Sequence, residues 1–191
     1  MPRVKLANGA LRDQIRQDLF DTIIQEAASS IQGITKFFSQ VQGKASYLTN
    51  LRQNNILENQ VSYLVQGLGF DAHVFDHADK SVLPLVTDHA ALKLRIGEKV
   101  YWEGPLRYVI GKINTNFGGG LTDYFAQFGS HDSSKYALKG NDSIAIPPLQ
   151  TFGMELEVAG FTNAEDTAAQ PATQRIHYVA RLMGLLRRPV Q

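Results

Sequence analysis

Apolar residues in the first part of the chain recur at helical spacing. Leu11, Ile15, Leu19, Ile23, Ile24, Ala27, Ile31, Ile34, Phe38 and Val41 follow one another at steps of three or four almost throughout, which places them on one stripe of an α-helix. Arg12, Asp13, Arg16, Gln17, Asp21, Gln25, Ser29 and Gln32 fall opposite. Asn8 is a candidate cap, Gly33 a bend and Gly43 a stop. The pattern predicts an amphipathic amino-terminal helix within residues 1–44. Residues 44–60, KASYLTNLRQNNILENQ, are polar and Asn-rich and predict a connecting segment.

The period then drops to two. Val61, Tyr63 and Val65 alternate with Ser62, Leu64 and Gln66. Beyond Gly67 and Gly69 the run continues through Phe70, Ala72 and Val74, which predicts one long strand with a glycine bulge. Residues 77–90 predict a short helix or excursion. Leu92, Leu94 and Ile96 alternate with Lys93 and Arg95, Gly97-Glu98 marks a tight turn, and Val100–Trp102 returns. Leu106–Ile110 is a further strand candidate. A Gly-, Asn- and Ser-rich stretch fills 111–143, and loops of that length are usually functional or carry short elements. Ile144–Ile146 precedes Pro147-Pro148. Phe152, Met154, Leu156 and Val158 then alternate with Gly153, Glu155 and Glu157. In the last strand Ile176, Tyr178, Ala180 and Leu182 share one face, while Arg175, His177, Val179 and Arg181 share the other. Gly184 is a candidate turn start.

Six to eight short strands separated by turn signals predict a mainly β chain. No strand–helix–strand alternation supports a parallel sheet. The expected fold is a single antiparallel β-sandwich over 45–191, preceded by a helical arm over 1–44. A length of 191 residues suits one domain with an extension, and 43% hydrophobic against 19% charged residues is ordinary globular content. Net charge is +1, so no global field selects nucleic acid or an anionic surface. With no cysteine, the chain has no disulfide, thiolate ligand or cysteine nucleophile. The first residues lack a secretory h-region and no apolar run is long enough for a helical span.

Candidate chemistry is sparse. No G-x-S-x-G elbow or other activated nucleophile stands out. Asp71–His77 offers the best metal set, His73, Asp76 and His77, because histidines four apart share a helix face; on a strand they sit too far apart for one ion. Surface residues are the plainer reading. Gly67–Ala72 fits a relaxed dinucleotide fingerprint without the helix that should follow it, and Gly118–Gly120 lacks the Lys-Ser/Thr of a phosphate loop. Glu155 and Glu157 share a strand face, where cross-strand cations are the expected partners; Arg175 and Arg181 are the candidates. Arg187 and Arg188 form a basic tip with no interleaved aromatics. Between Ala10 and Gln32 the helical stripe carries two Arg against three Asp and one Glu, which favours a protein partner over lipid.

The string Ile144-x-Ile146-Pro147-Pro148-x-Gln150-x-Phe152, the alternating strand Phe152–Val158, a polar loop and the closing Gly184–Gln191 segment together resemble jelly-roll capsid proteins of tailless, often membrane-containing bacteriophages. Leu48–Asn55 fits the same resemblance, which covers about residues 45–191. It implies a jelly roll, no catalytic residues or cofactor, location in a virion, and assembly with copies of itself and other virion proteins. Contact with an internal membrane is a further partner it allows; no specific nucleic acid is expected. The chain has room for one jelly roll only. On this reading Leu11, Ile15, Leu19, Ile23, Ile24, Ile31 and Phe38 form the oligomer contact, and the protein is not an enzyme. The alternative is an adaptor or attachment sandwich that binds through the 111–143 loop.

Overall fold

The fold is given by a computed structural model that describes residues 3–5, 11–26, 33–74, 89–110, 113–115, 126–128, 136–138, 142–159 and 176–189. The strands among these are β1 (Arg3–Lys5), β2 (Leu11–Arg16), β3 (Leu19–Gln25), β4 (Gly33–Phe37), β5 (Ser62–Val74), β6 (Ala90–Ile96), β7 (Lys99–Pro105), β8 (Ile113–Thr115), β9 (Ala126–Phe128), β10 (Tyr136–Ala137), β11 (Ile144–Ile146), β12 (Phe152–Val158) and β13 (Ile176–Pro189). They form two antiparallel sheets. The smaller has the order β4-β12-β6-β7. The larger is built on β13 and β5. β3 and β2 share the other edge of β13, β1 adds to β2, β11, β10 and β9 line the far edge of β5, and β8 adds to β9. From β3 onward the chain changes sheet at β3–β4, β4–β5, β5–β6, β7–β8, β11–β12 and β12–β13.

Alternation explains the packing. Tyr178, Ala180 and Leu182 of β13, Leu68 and Phe70 of β5, and Leu92, Leu94, Met154 and Leu156 of the smaller sheet are essentially inaccessible and belong to one continuous core. Burying each large apolar side chain contributes roughly 1.5–3 kcal/mol, which makes this interface between sheets the main source of stability. Phe70 is central: it meets Phe37 edge-on, with ring centroids 5.8 Å apart, and Tyr178 at 6.0 Å.

β5 contains the expected bulge. Its buried positions are Tyr63 and Val65 before Gln66, then Leu68, Phe70 and Ala72 after it. Against β13, Gly67 pairs with Met183 but Val65 pairs with Gly184, so Gln66 is the extra residue. One inserted residue lets both halves of the strand face the core. Gly184 lies in this crossing within β13 and begins no turn. A Cβ there would sit 2.0 Å from Leu64 O, so only glycine fits.

The β6–β7 hairpin, β11 and β12 follow the sequence pattern. Leu106–Ile110 does not form a strand: Leu106–Tyr108 is a single 3₁₀ turn that follows Pro105 and buries Leu106. The expected amino-terminal helix is also corrected. Residues 11–16, 19–25 and 33–37 are strands. A four-residue step is a multiple of two as well as close to one helical turn, so Leu11, Ile15, Leu19 and Ile23 satisfy both periods. β-branched Thr22, Ile23 and Ile24 and the pairing surfaces of β13 and β12 decide for the strand. β3 and β4 are therefore strands of the sandwich and not an arm beside it, and a boundary at residue 44 would separate them from their partners. Ala27 and Ile31 lie outside the described residues.

The Asn-rich connector contains no strand but is held throughout by hydrogen bonds. Asn50 accepts from Phe20 N at 3.0 Å and donates to Asp18 O at 2.6 Å. Asn54 Oδ1 accepts from Val41 N and Gln42 N. Thr49 Oγ1 donates to Phe20 O at 3.0 Å. The outer edge of β3 is thus met by the connector's backbone, through the Asp21–Thr49 bridge and the Thr22 N–Leu48 O hydrogen bond, with the side chains of Asn50 and Thr49 adding to it.

Candidate functional site

Asp21 is fully buried at the mouth between the sheets. Its carboxylate accepts from Phe38 N at 2.7 Å and from Lys44 Nζ at 2.6 Å, and Lys44 also donates to Thr22 O at 2.9 Å. Phe38 has φ 66°, a strained value for an aromatic residue. That conformation turns its N–H into Asp21 while its ring fills the core against Phe152 at 5.5 Å. The strain is thus matched by structural contacts and needs no catalytic explanation.

The outer face of the smaller sheet is a ladder of ion pairs. Lys93 bridges Glu157 at 2.8 Å and Glu103 at 3.2 Å. Hydrogen bonds to Glu157 and then Glu103 push the lysine pKa above its ordinary value. Arg95 Nε meets Glu155 at 2.9 Å, and Lys36 lies 4.0 Å from the same carboxylate. The expected partners of Glu155 and Glu157 are thereby corrected. β12 lies in the sheet opposite β13, and Arg181 pairs instead with Asp71 at 2.5 Å. Arg175 is outside the described residues. Both glutamates have a cation in contact, as structural carboxylates do.

Two of the hollows on the described surface bear on possible chemistry. One, of about 170 Å³, is lined by Lys36, Ser39, Asn55, Arg95, Thr151 and Glu155. The other, of about 370 Å³, lies on the connector beside Gly43, Lys44, Ser46, Thr49, Asn50 and Arg52. The first is smaller than the ~300–1,000 Å³ of typical ligand sites. In the first Arg95 is paired with Glu155, and in the second the lining Lys44 is paired with Asp21. Among the described residues no three His, Asp or Glu side chains converge as a metal site. His73 stands in β5 opposite His177 and Gln127; Asp76 and His77 lie outside the described residues.

The chemistry available is that of surfaces. Ile34 on the β4 edge is 60% exposed and Tyr101 on the β7 edge is 45% exposed; these strands are the two edges of the smaller sheet. Lys99 Nζ sits 5.1 Å from the Tyr101 ring centroid. Trp102 stacks on Tyr136 at 5.2 Å, which joins the β7 edge to β10. Among the residues expected as an oligomer contact, Leu19 and Phe38 are buried in the chain's own core, Ile23 packs against it, and Ile15 and Ile24 are half-buried. Leu11 lies in β2 and Ile31 outside the described residues. The helical stripe thus does not exist as one face, and the exposed Ile34 and the tyrosines of β7 and β10, which alternation alone left unmarked, take its place as contact candidates. Comparison with protein-family models, curated proteins and solved structures finds no match.

Proposed function

We propose that this chain is a structural subunit of a virion shell, built on a single jelly roll and assembling through its sheet edges. The observation that carries the reading is strand order. Number β3, β4, β5, β6, β7, β11, β12 and β13 from one to eight. The larger sheet then runs one-eight-three-six and the smaller two-seven-four-five. That is the order obtained by rolling up one long antiparallel hairpin of eight strands, the arrangement of jelly rolls, which occur in viral capsid and lectin domains. Fold alone does not fix function. Support for a shell role comes from the exposed Ile34 and Tyr101 on opposite edges of one sheet and from hollows whose charges are already paired. Tyr and large apolar residues are typical interface anchors. Copies of the chain and other virion proteins are the partners this reading names.

Native mass measurement and electron microscopy across a wide concentration range test it. Oligomers or closed particles are expected, and Ile34→Asp with Tyr101→Ser should weaken them at unchanged thermal stability. A folded protein that stays monomeric at every concentration sinks the reading. The second reading, a binding module using 111–143, draws on the partly exposed Tyr136 stacked on Trp102. A glycan or receptor screen that responds to Tyr136→Ala, alongside a strict monomer, would favour it.

A further inference from the structure

Four arginines gather where β2 runs beside the second half of β13. Register places Arg16 opposite Leu185, Gln14 opposite Arg187 and Arg12 opposite Pro189. Arg12, Arg16 and Arg187 therefore share the face of the larger sheet that points away from the core, and Arg188 stands beside them on the other face, opposite Asp13. Arg16 is exposed and the other three are half-buried. Arg12 is held by a hydrogen bond from Nη1 to Gln60 O.

Elsewhere in the sandwich Lys36, Lys93, Arg95 and Arg181 each meet a carboxylate, and Lys99 lies over the Tyr101 ring. None of the four arginines at the β2–β13 end makes an ion pair with a described residue; Nε of Arg187 and Arg188 is buried without a hydrogen-bond partner among them, as is Nε of the ion-paired Arg181. Arg12, Arg16 and Arg187 on one face, with Arg188 behind them opposite Asp13, raise the local potential. Guanidinium matches phosphate in a planar, bidentate way.

We infer that the β2–β13 end is a binding surface for the phosphate backbone of nucleic acid, read without regard to sequence. Arg12 and Arg16 lie about 13 Å apart at ~3.3 Å per residue, which spans several phosphates spaced ~3.4 Å along the axis of each strand. No aromatic ring lies on β2 or on the second half of β13, so base stacking is not part of the contact. The strongly exposed apolar residues, Ile34, Tyr47, Tyr108 and Leu149 among them, lie on other elements. The patch thus lacks the apolar anchors of a lipid-surface site. The inference does not depend on the shell reading, since a monomer would present the same face.

The test is fluorescence anisotropy of labelled single-stranded and duplex oligonucleotides with the full chain over a range of KCl concentrations. The expected plot of log affinity against log salt has a slope of about −2 to −3. Arg16→Gln with Arg187→Gln should reduce that slope by about two and weaken low-salt binding by roughly tenfold or more. Lys36→Gln with Arg52→Gln removes the same charge elsewhere and should change neither. If the double variant does not fold, Arg16→Gln alone, an exposed position, decides through a slope reduced by about one. Absence of salt-dependent binding by the wild type, or equal binding by the variant and the wild type, overturns the inference. So does binding to phosphatidylserine vesicles but not to oligonucleotides.

Discussion

Two buried tyrosines carry opposite hydrogen-bond accounts. Tyr63 Oη lies 2.6 Å from Leu182 O and 2.8 Å from Gln17 O, so its single proton ties β5 to β13 or to the β2–β3 turn. Tyr178 Oη is buried without a partner among the described residues. Tyr63→Phe should therefore destabilise by about 0.5–1.5 kcal/mol, whereas Tyr178→Phe should be neutral or stabilising, as read from urea midpoints. Burial pushes both phenol pKa values above the ordinary 10, with the charge of Asp18 adding to the shift at Tyr63. A raised folded-state pKa gives stability that is complete below the unfolded pKa and lost as pH climbs past it. Alkaline unfolding should accordingly set in above about pH 10, read from loss of near-UV circular dichroism. Because Tyr47, Tyr101, Tyr108 and Tyr136 are exposed, the tyrosinate signal of the buried pair is taken as the difference from Tyr63→Phe and Tyr178→Phe; ionisation of either in a still folded protein just above that pH would contradict the burial. Gly184→Ala should cost at least about 2–3 kcal/mol, because the obstacle is backbone and cannot swing aside. Asp21→Ala strands both Phe38 N and Lys44 and should cost about 3 kcal/mol or more; a loss below 1 kcal/mol would mean that water replaces the carboxylate.

At the scale of elements, the second half of the chain was legible because its signals were local. Ala90–Ile96, Phe152–Val158 and Ile176–Leu182 alternate cleanly, and the glycine pair in β5 announced its bulge. Residues 11–25 and 33–37 differ from the helix expectation because their apolar spacing fits both periods, and because the choice between them is made by β13 and β12 more than a hundred residues later. The connector reads correctly as loop, but the role of Asn50 at the β3 edge depends on backbone groups thirty or more residues away. The arginine end was half-legible: Arg187 and Arg188 were visible as a tip, while Arg12 and Arg16 joined them only once β2 lay alongside. A chain beginning at residue 45 should fail to fold, since it loses Leu19, Phe37, Phe38 and Asp21 together. Retention of a cooperative thermal transition in that truncated protein would contradict the strand assignment of β3 and β4.

For the whole molecule, the two sheets divide the surface into unlike parts. The smaller sheet presents a ladder of ion pairs and two edges bearing Ile34 and Tyr101. The larger presents arginines without a described ion pair at one end. The proposed self-association and the proposed polyanion contact would therefore use different surfaces, and the mass and anisotropy measurements test them separately. The position of β13 has a further consequence. It is the last described strand to be synthesised, yet it lies between β3 and β5, the centre of its sheet. While a ribosome is still extending the chain, both neighbours hold open rows of amide and carbonyl groups across a vacant slot, and every preceding strand must wait for the last to arrive. The sheet cannot close before β13 has been made, so folding is slow and of high contact order. Its yield in the cell is then set by how long those two open edges escape pairing with the wrong partner.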